Sequence, residues 1–501
     1  MIRPQGQQGE NSRRVFMLQL DAVDQSFIKD NFDQLPNLRQ VFENGQFVST
    51  RSTSKLLEAS AWASFASASD PGVHGQYFPL QWDPKTMSMR RATDPHWGAR
   101  LDYEPFWYEL GRDGYRCVVF DANEIFEHKN PPVLEISNWS SQESGKVFSS
   151  DPFTLQELNR RFGRRPIGKE VPIRKSIRLS TRLRDGLVDS VRRKCDAIIW
   201  LSDQRPWDFY VACVYDLHRA GHNLWPSASK EHSSSLPDAA LLDVFKAFDA
   251  KLKEILDHIG TPATAVIIYT LHGMAENQSQ NHLMPEIMRR LNHQFLEEEF
   301  GMERVLRNPG LIFSLRRMLP GGLQYYLAHL LGEQVQDWVV THEWLGALEW
   351  DHTCVFTLPS ADSGYIRFNL KGRELNGLLP NTDTFRSHLT SWLTEQLMAI
   401  RVSETGNALV KKCIRVGDIF PGPRSHMLPD LLVQWKPSSP VTEVQSEAIG
   451  VIKARLQTGR NGNHSGESFA IMIGNLPHDD CVQELQAITD YDNLVRRLLS
   501  Q

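Results

Sequence analysis

Four stretches of the chain share one pattern of apolar and polar positions. "RRVFMLQLDAVD" (13–24), "GYRCVVFDAN" (114–123), "DFYVACVYDLH" (208–218) and "TAVIIYTLHGM" (264–274) are short, nearly continuous apolar runs. Each ends in polar residues: Asp21, Asp121, Asp216 with His218, and His272. Unbroken apolar runs of this length mark strands buried on both faces, the setting of a parallel sheet covered by helices. The segments between them carry a helical period. In "PDAALLDVFKAFDAKLKEILDHIG" (237–260), Leu241, Leu242, Phe245, Phe248, Leu252, Ile255, Leu256 and Ile259 fall on one stripe, and Gly260 suits a C-cap. "PFWYELGRDG" (105–114) reads as a shorter helix ending at Gly114. Strand alternating with helix predicts an α/β fold: a central, mainly parallel sheet with helices on both faces.

The polar ends of the runs change the picture. In open α/β sheets ligands bind outside the carboxyl ends of the strands. A carboxylate and two imidazoles after a buried strand are costly unless each has a partner. "VACVYDLHRAGHNLW" (211–225) therefore predicts a site. His218 and His222 are four apart, a spacing that suits two ligands on one helical turn, and a loop or a helix start must present them. Asp216 reads as a partner that orients an imidazole. His282, in "QNHLMPE", is an extra candidate if the chain folds back there.

Beyond residue 280 the pattern is less regular. "PGLIFSLRRMLPGGLQYYLAHLLG" (309–332) reads as helical and is broken by Pro320 and two glycines. "CVFTLPSADSGYIRFNLKGRELNGLLP" (354–380) reads as β-hairpin material. The expected organisation is an α/β core over 13–280, an inserted cap or lid over 281–459, and a return to the core over 460–501.

Composition narrows the partners. A length of 501 residues exceeds the prior of about 150 per domain, which fits a large core with an insertion. With 41% hydrophobic and 23% charged residues the chain has ordinary globular composition. A net charge of -5 argues against nucleic acid and gives no sign of attraction to a membrane surface. No apolar run reaches the roughly 18 residues of a membrane span. The polar N-terminal stretch shows no apolar segment of a secretory signal. Six scattered cysteines without a C-x-x-C pair read as reduced core thiols. The expectation is a cytoplasmic protein acting on a small molecule; a homo-oligomer stays open.

Five ordered motifs then carry a resemblance: Asp21 in "LQLDAVD", "EASAWASFASASDPGVHG" (58–75), "HRAGH" (218–222), "LHGM" (271–274) and "GNHSG" (462–466). In order and character they resemble the alkaline phosphatase superfamily, specifically its type I phosphodiesterase/nucleotide pyrophosphatase branch. "GYIRFNLKGRE" (364–374) also resembles a stretch of some members. The resemblance implies an alkaline phosphatase-like core. It implies one metal ion on His218, His222 and His464, and another on Asp21, His272 and Glu58. Three positions depart from the family pattern. The nucleophilic Thr or Ser falls on Glu58, and two ligand aspartates fall on His218 and Leu271. The implied cofactor is one or two divalent transition metal ions, zinc, iron or manganese, because a nitrogen-rich set does not suit magnesium or calcium.

Glu58 has no hydroxyl, so it is expected as a carboxylate ligand or general base. The bland alternative is a Glu at a helix start, favoured there by the helix dipole. The expected function is a metal-dependent hydrolase of a small phosphate or related ester, with metal-activated water replacing the side-chain nucleophile. Two readings stay open beside it. One is the same fold repurposed for other metal chemistry, such as iron-dependent oxidation in a biosynthetic pathway. The other is a non-catalytic binding protein.

Overall fold

The structure, a computed structural model, describes residues 13–92, 103–122, 131–140, 147–164, 175–226, 239–302, 341, 344–345, 348–456, 458–474, 476 and 483–500. The helical pattern expected over 309–332, and Cys481, lie outside the described residues.

The predicted apolar runs form the centre of an eight-stranded sheet. Its strands are β1 (Arg14–Leu20), β2 (Gln46–Arg51), β3 (Cys117–Phe120), β4 (Leu134–Ser137), β5 (Phe148–Ser149), β6 (Phe209–Val214), β7 (Thr264–Thr270) and β14 (Glu467–Ile473). Their order is β2-β14-β7-β1-β6-β3-β4-β5. β1 pairs in parallel with β6, Val15 against Phe209 and Leu20 against Val214. It also pairs in parallel with β7, Arg14 against Thr264 and Gln19 against Tyr269. β3 runs parallel to β6, whereas β14 is antiparallel to both β7 and β2. The sheet is thus mostly parallel, and the fold class is the one the run pattern predicts.

Strand periodicity explains why these runs are apolar at every position. Successive side chains point to opposite faces. Phe16, Leu18 and Leu20 join one apolar layer with the helices α2 (Ile177–Gln204) and α4 (Ala240–Ile259). Val15 and Met17 join the opposite layer with α1 (Ala61–Ser67) and α5 (Tyr491–Leu499). A strand covered on both faces has no position for a solvated side chain. Full burial of each large apolar residue contributes about 1.5–3 kcal/mol, so truncating Phe16 to Ala would cost about 3–5 kcal/mol.

The same periodicity makes Gln19 conspicuous, a buried amide in an otherwise apolar strand. β6 passes into α3 (Tyr215–Leu224) with no intervening loop, and every residue of α3 is buried.

A second sheet lies in the later half of the chain. β9 (Val355–Leu358), β10 (Gly364–Phe368), β11 (Val410–Arg415) and β12 (Leu431–Trp435) form an antiparallel sheet in the order β9-β10-β12-β11. The expected hairpin is β9 with β10, Val355 opposite Phe368. One apolar cluster there is local, including Met284, Leu291, Phe368 and Leu389. Another mixes Leu57, Tyr77 and Trp82 with Phe356, Tyr365 and Leu432. The early segment around residues 57–82 therefore shares an apolar cluster with this second unit. Cys117, Cys195, Cys213 and Cys354 are buried free thiols, and Cys413 is a half-buried one.

Candidate metal centre

Because β1, β6 and β7 are parallel, their carboxyl ends fall on one edge of the sheet. Asp21 follows β1 directly, α3 carries His218 and His222 after β6, and His272 lies just past β7. The fourth histidine arrives on a short antiparallel ribbon, β8 (Gly273–Glu276) with β13 (Gly462–Ser465). Its register sets Met274 opposite His464 and Gly273 opposite Ser465, which brings His464 beside His272. All four histidines, Asp21 and the segments that present them are largely buried.

Two glycines let α3 and the ribbon touch. A β-carbon on Gly462 would lie 2.3 Å from the Gly221 carbonyl oxygen, and one on Gly221 would lie 2.9 Å from the Met274 side chain. The close approach fixes His222 at both ends. Its carbonyl accepts from the Asn461 N–H at 2.7 Å. Its Nδ1 donates to the Gly462 carbonyl at 2.9 Å.

These bonds decide where the ring protons are. Nδ1 of His222 faces a carbonyl and must carry the proton. Nδ1 of His218 faces the Asp21 Oδ2 at 2.6 Å and donates to it. In the neutral rings both Nε2 atoms are then bare lone pairs. Yet His218 Nε2 lies 2.9 Å from His222 Nε2 and 2.7 Å from His464 Nε2. A proton on His464 serves one of those contacts and leaves the other as lone pair against lone pair. A metal cation serves both. His218, His272 and His464 also bring ring nitrogens within 4.8 Å of one another. Neither nitrogen of His272, nor Nδ1 of His464, has a hydrogen-bond partner among the described residues, although all three are buried. Such orphaned buried atoms are costly. The residues fit a divalent transition metal held by imidazole nitrogen.

The electrostatics agree with that chemistry. Burial, opposed by Asp21 and aided by His218, pushes the His272 imidazole down to about 4. Burial and the neighbouring imidazoles hold His464 well below its ordinary value, with Arg460 adding to the effect. Both rings are neutral near pH 7, the form in which an imidazole can bind a metal. Burial alone would raise the Asp21 carboxyl, but the His218 imidazole, with His272 and Gln19, outweighs it and holds the group low. Asp21 is an anion that keeps His218 in the tautomer a metal needs.

The other three expected site residues are elsewhere. Glu58 is not among the imidazoles. Its carboxylate accepts from the backbone N–H of Ala361 at 2.8 Å, Asp362 at 2.7 Å and Ser363 at 2.8 Å. Both oxygens accept from the 361–363 loop, whereas the sequence leads to the expectation of a ligand or base. A Glu among small residues is equally suited to either role, and the sequence carries no sign of a partner three hundred residues away. Burial and the nearby Asp362 push its carboxyl up to about 7 against the three amides.

Asp216 lies on the side of α3 toward α2, where Lys194 and Ser190 partly offset the rise that burial causes. His282 donates from Nε2 to the Val441 carbonyl at 2.8 Å, in the second unit.

Sequence reasoning passed over three contributors. Gln19 donates to Asp21 Oδ1 at 3.0 Å, and its signal was the lone polar position in β1. Asn463 donates to the Ala361 carbonyl at 2.8 Å while its Oδ1 accepts from the His464 N–H at 3.0 Å, tying the loop held by Glu58 to the ribbon. The Gly462 carbonyl that orients His222 is a backbone group and leaves no trace in side-chain identity.

A mostly parallel α/β sheet with an added antiparallel unit and a histidine cluster at the strand ends is an alkaline phosphatase-like arrangement. The chain belongs to the type I phosphodiesterase / nucleotide pyrophosphatase family, whose model matches residues 15–326, well over half of its length. Among solved structures it is similar to phosphonoacetate hydrolase from Sinorhizobium meliloti 1021 in complex with phosphonoformate. That match has 13% identity and a TM-score of 0.53, and covers 99% of this chain and 98% of that one. The same enzyme with phosphonoacetate matches at 14% identity and a TM-score of 0.51, with the same coverage. Murine ectonucleotide pyrophosphatase / phosphodiesterase 5 matches at 11% identity and a TM-score of 0.47, covering 97% and 95%. By sequence alone no curated protein matches at a significant level.

Proposed function

We propose that this protein is a metal-dependent hydrolase of a small anionic phosphate-type ester or phosphonate, with water rather than a side chain as the attacking group. The observation that carries the reading is the set of imidazole nitrogens facing one another, where one proton on His464 cannot serve both contacts of His218, in a family of phosphodiesterases. A divalent ion there would supply Lewis acidity and lower the pKa of bound water. The chain's own residues orient and charge the site. Asp21 holds His218, the Gly462 carbonyl holds His222, and Arg460, near enough to depress His464, adds positive charge that suits an anion.

The absence of a nucleophile has local support. No hydroxyl stands at position 58, and the hydroxyls around it are engaged. Ser60 donates its one proton to the Leu57 carbonyl and lies 2.7 Å from the Thr53 hydroxyl, which in turn lies 3.2 Å from that of Ser64. Ser64 lies 2.9 Å from His74 Nε2. His74 Nδ1 accepts the Gln76 N–H, so Nε2 carries the proton and donates to Ser64. His74 cannot act as the base for that hydroxyl.

The test is a panel of aryl phosphomonoesters, phosphodiesters and phosphonates, assayed after metal reconstitution with an acid quench for phosphorylated protein. The expected result is slow monoester turnover, diester or phosphonate turnover at least tenfold faster and lost on chelation, and no trapped phosphoprotein. A phosphorylated Ser or Thr trapped within 52–69 would overturn the reading. A second reading, iron-dependent oxidation, has one observation in its favour: the atoms that converge are all imidazole nitrogens, a set that also suits iron. Turnover that stops when oxygen is removed would select it.

A further inference from the structure

We propose that the centre holds one metal ion, on His218, His222 and His464 with His272 beside them, and that Asp21 and Glu58 serve as a positioning carboxylate and a loop anchor. The inference rests on the metal reading above and departs from the two-ion arrangement that the motif resemblance implies.

The argument is an account of donor atoms. A second ion would draw on Asp21, Glu58, His272 and residue 271. Residue 271 is Leu, fully buried in the apolar layer beneath the sheet edge, and offers no ligand atom. Glu58 has both oxygens on three amides of the 361–363 loop, each within 2.8 Å. Moving it to an ion would strand those buried N–H groups at about 1–3 kcal/mol apiece. Asp21 gives Oδ2 to His218 Nδ1 and receives the Gln19 amide on Oδ1. Each Asp21 oxygen keeps one lone pair, so Asp21 and His272 remain, two donors of the four that such an ion would draw on.

The other set is complete and oriented. His218 and His222 each have Nδ1 pinned, to a carboxylate and to a carbonyl, with their Nε2 atoms turned toward each other. This is how histidine ligands are fixed when a hydrogen-bond partner sets the tautomer. The two departures at Glu58 and Leu271 are then a single change, the loss of one ion's worth of donors. The Glu side chain reaches past the vacated hydroxyl position to fasten the loop that Asn463 joins to His464.

Stripped full-length protein titrated with cobalt(II), followed by its visible d–d absorption and by metal analysis after gel filtration, tests this. The expected result is saturation at one equivalent. In Glu58→Gln the stoichiometry, affinity and band positions stay the same. In Asp21→Asn the stoichiometry and band positions stay the same while affinity falls about 10–100-fold. Should Asp21→Asn fold poorly, Gln19→Leu is the milder probe and lowers affinity in the same direction. Two equivalents in the wild type, or a changed spectrum in Glu58→Gln, would overturn the one-ion proposal and leave the metal reading standing. No binding in the wild type would overturn both.

Discussion

Glu58 and His218 are both buried, both polar, and both placed by the motif order at the active edge of the sheet, yet their surroundings differ in kind. Both oxygens of Glu58 accept from N–H groups of the 361–363 loop, three bonds in all. His218 meets an anion on one side and two other imidazole nitrogens on the other. A buried polar group with a full set of partners is part of the architecture. One set against a carboxylate and two further imidazole nitrogens is a place that could hold a cation. The contrast teaches that burial and motif position do not separate the two roles, whereas a count of donors against acceptors does.

The largest effect that sharpens this contrast is at the imidazoles. His218→Ala or His222→Ala should lower metal affinity by three orders of magnitude or more, read by metal analysis of protein purified without chelators. Full metal content in either variant would remove that residue from the ligand set. Asp21→Asn comes next, with the loss of about 10–100-fold in affinity that follows when the partner of a ligand imidazole is weakened.

Glu58→Gln should act on stability instead. It replaces a charged acceptor by an amide whose NH₂ confronts the loop's own N–H donors. A loss of about 2–3 kcal/mol in urea unfolding, with metal content unchanged, is expected. Metal loss without destabilisation would reverse the roles assigned to the two regions.

A smaller effect is the pH dependence of stability. The Glu58 carboxyl moves from an ordinary 4.5 to about 7 on folding, and Asp362 from 3.8 to about 6. Between those limits the folded chain holds the proton that the unfolded chain has released. Their contribution to stability is therefore fully present below pH 4 and declines as pH rises toward 7. His272, lowered from 6.5 to about 4, works the other way: its contribution is present above 6.5 and is lost as pH falls toward 4. The sum of opposed slopes is uninformative, but the difference between wild type and Glu58→Gln isolates the glutamate. That difference should change between pH 5 and 7 and be flat above 7.5. The smallest expected effect is His282→Ala, which loses one hydrogen bond to Val441, costs about 1 kcal/mol and leaves metal content alone.

Much of this was legible in the sequence because it was written in local patterns. The apolar runs of β1, β3, β6 and β7 declare a doubly covered parallel sheet, and their polar ends declare an edge where something binds. The four-residue spacing of His218 and His222 survives intact as one turn of α3. Long-range pairing with no local signature was not legible. Glu58 is satisfied by amides near residue 362, and His464 reaches His272 through the register of a short ribbon. Asp216 shows the limit of reading by proximity. It is two residues from His218, and on a helix that separation turns it away, toward α2. Gln19, two residues before Asp21 on a strand, shares its side of the chain and touches it.

The most direct test of the account is an anomalous-difference map from crystals of protein purified without chelators, collected above and below the absorption edge of the bound metal. One peak bounded by the imidazoles of His218, His222 and His464, with no density next to the Glu58 carboxylate and the 361–363 amides still on that carboxylate, is the predicted result. A second peak touching Glu58, or a single peak that excludes His222, would contradict it.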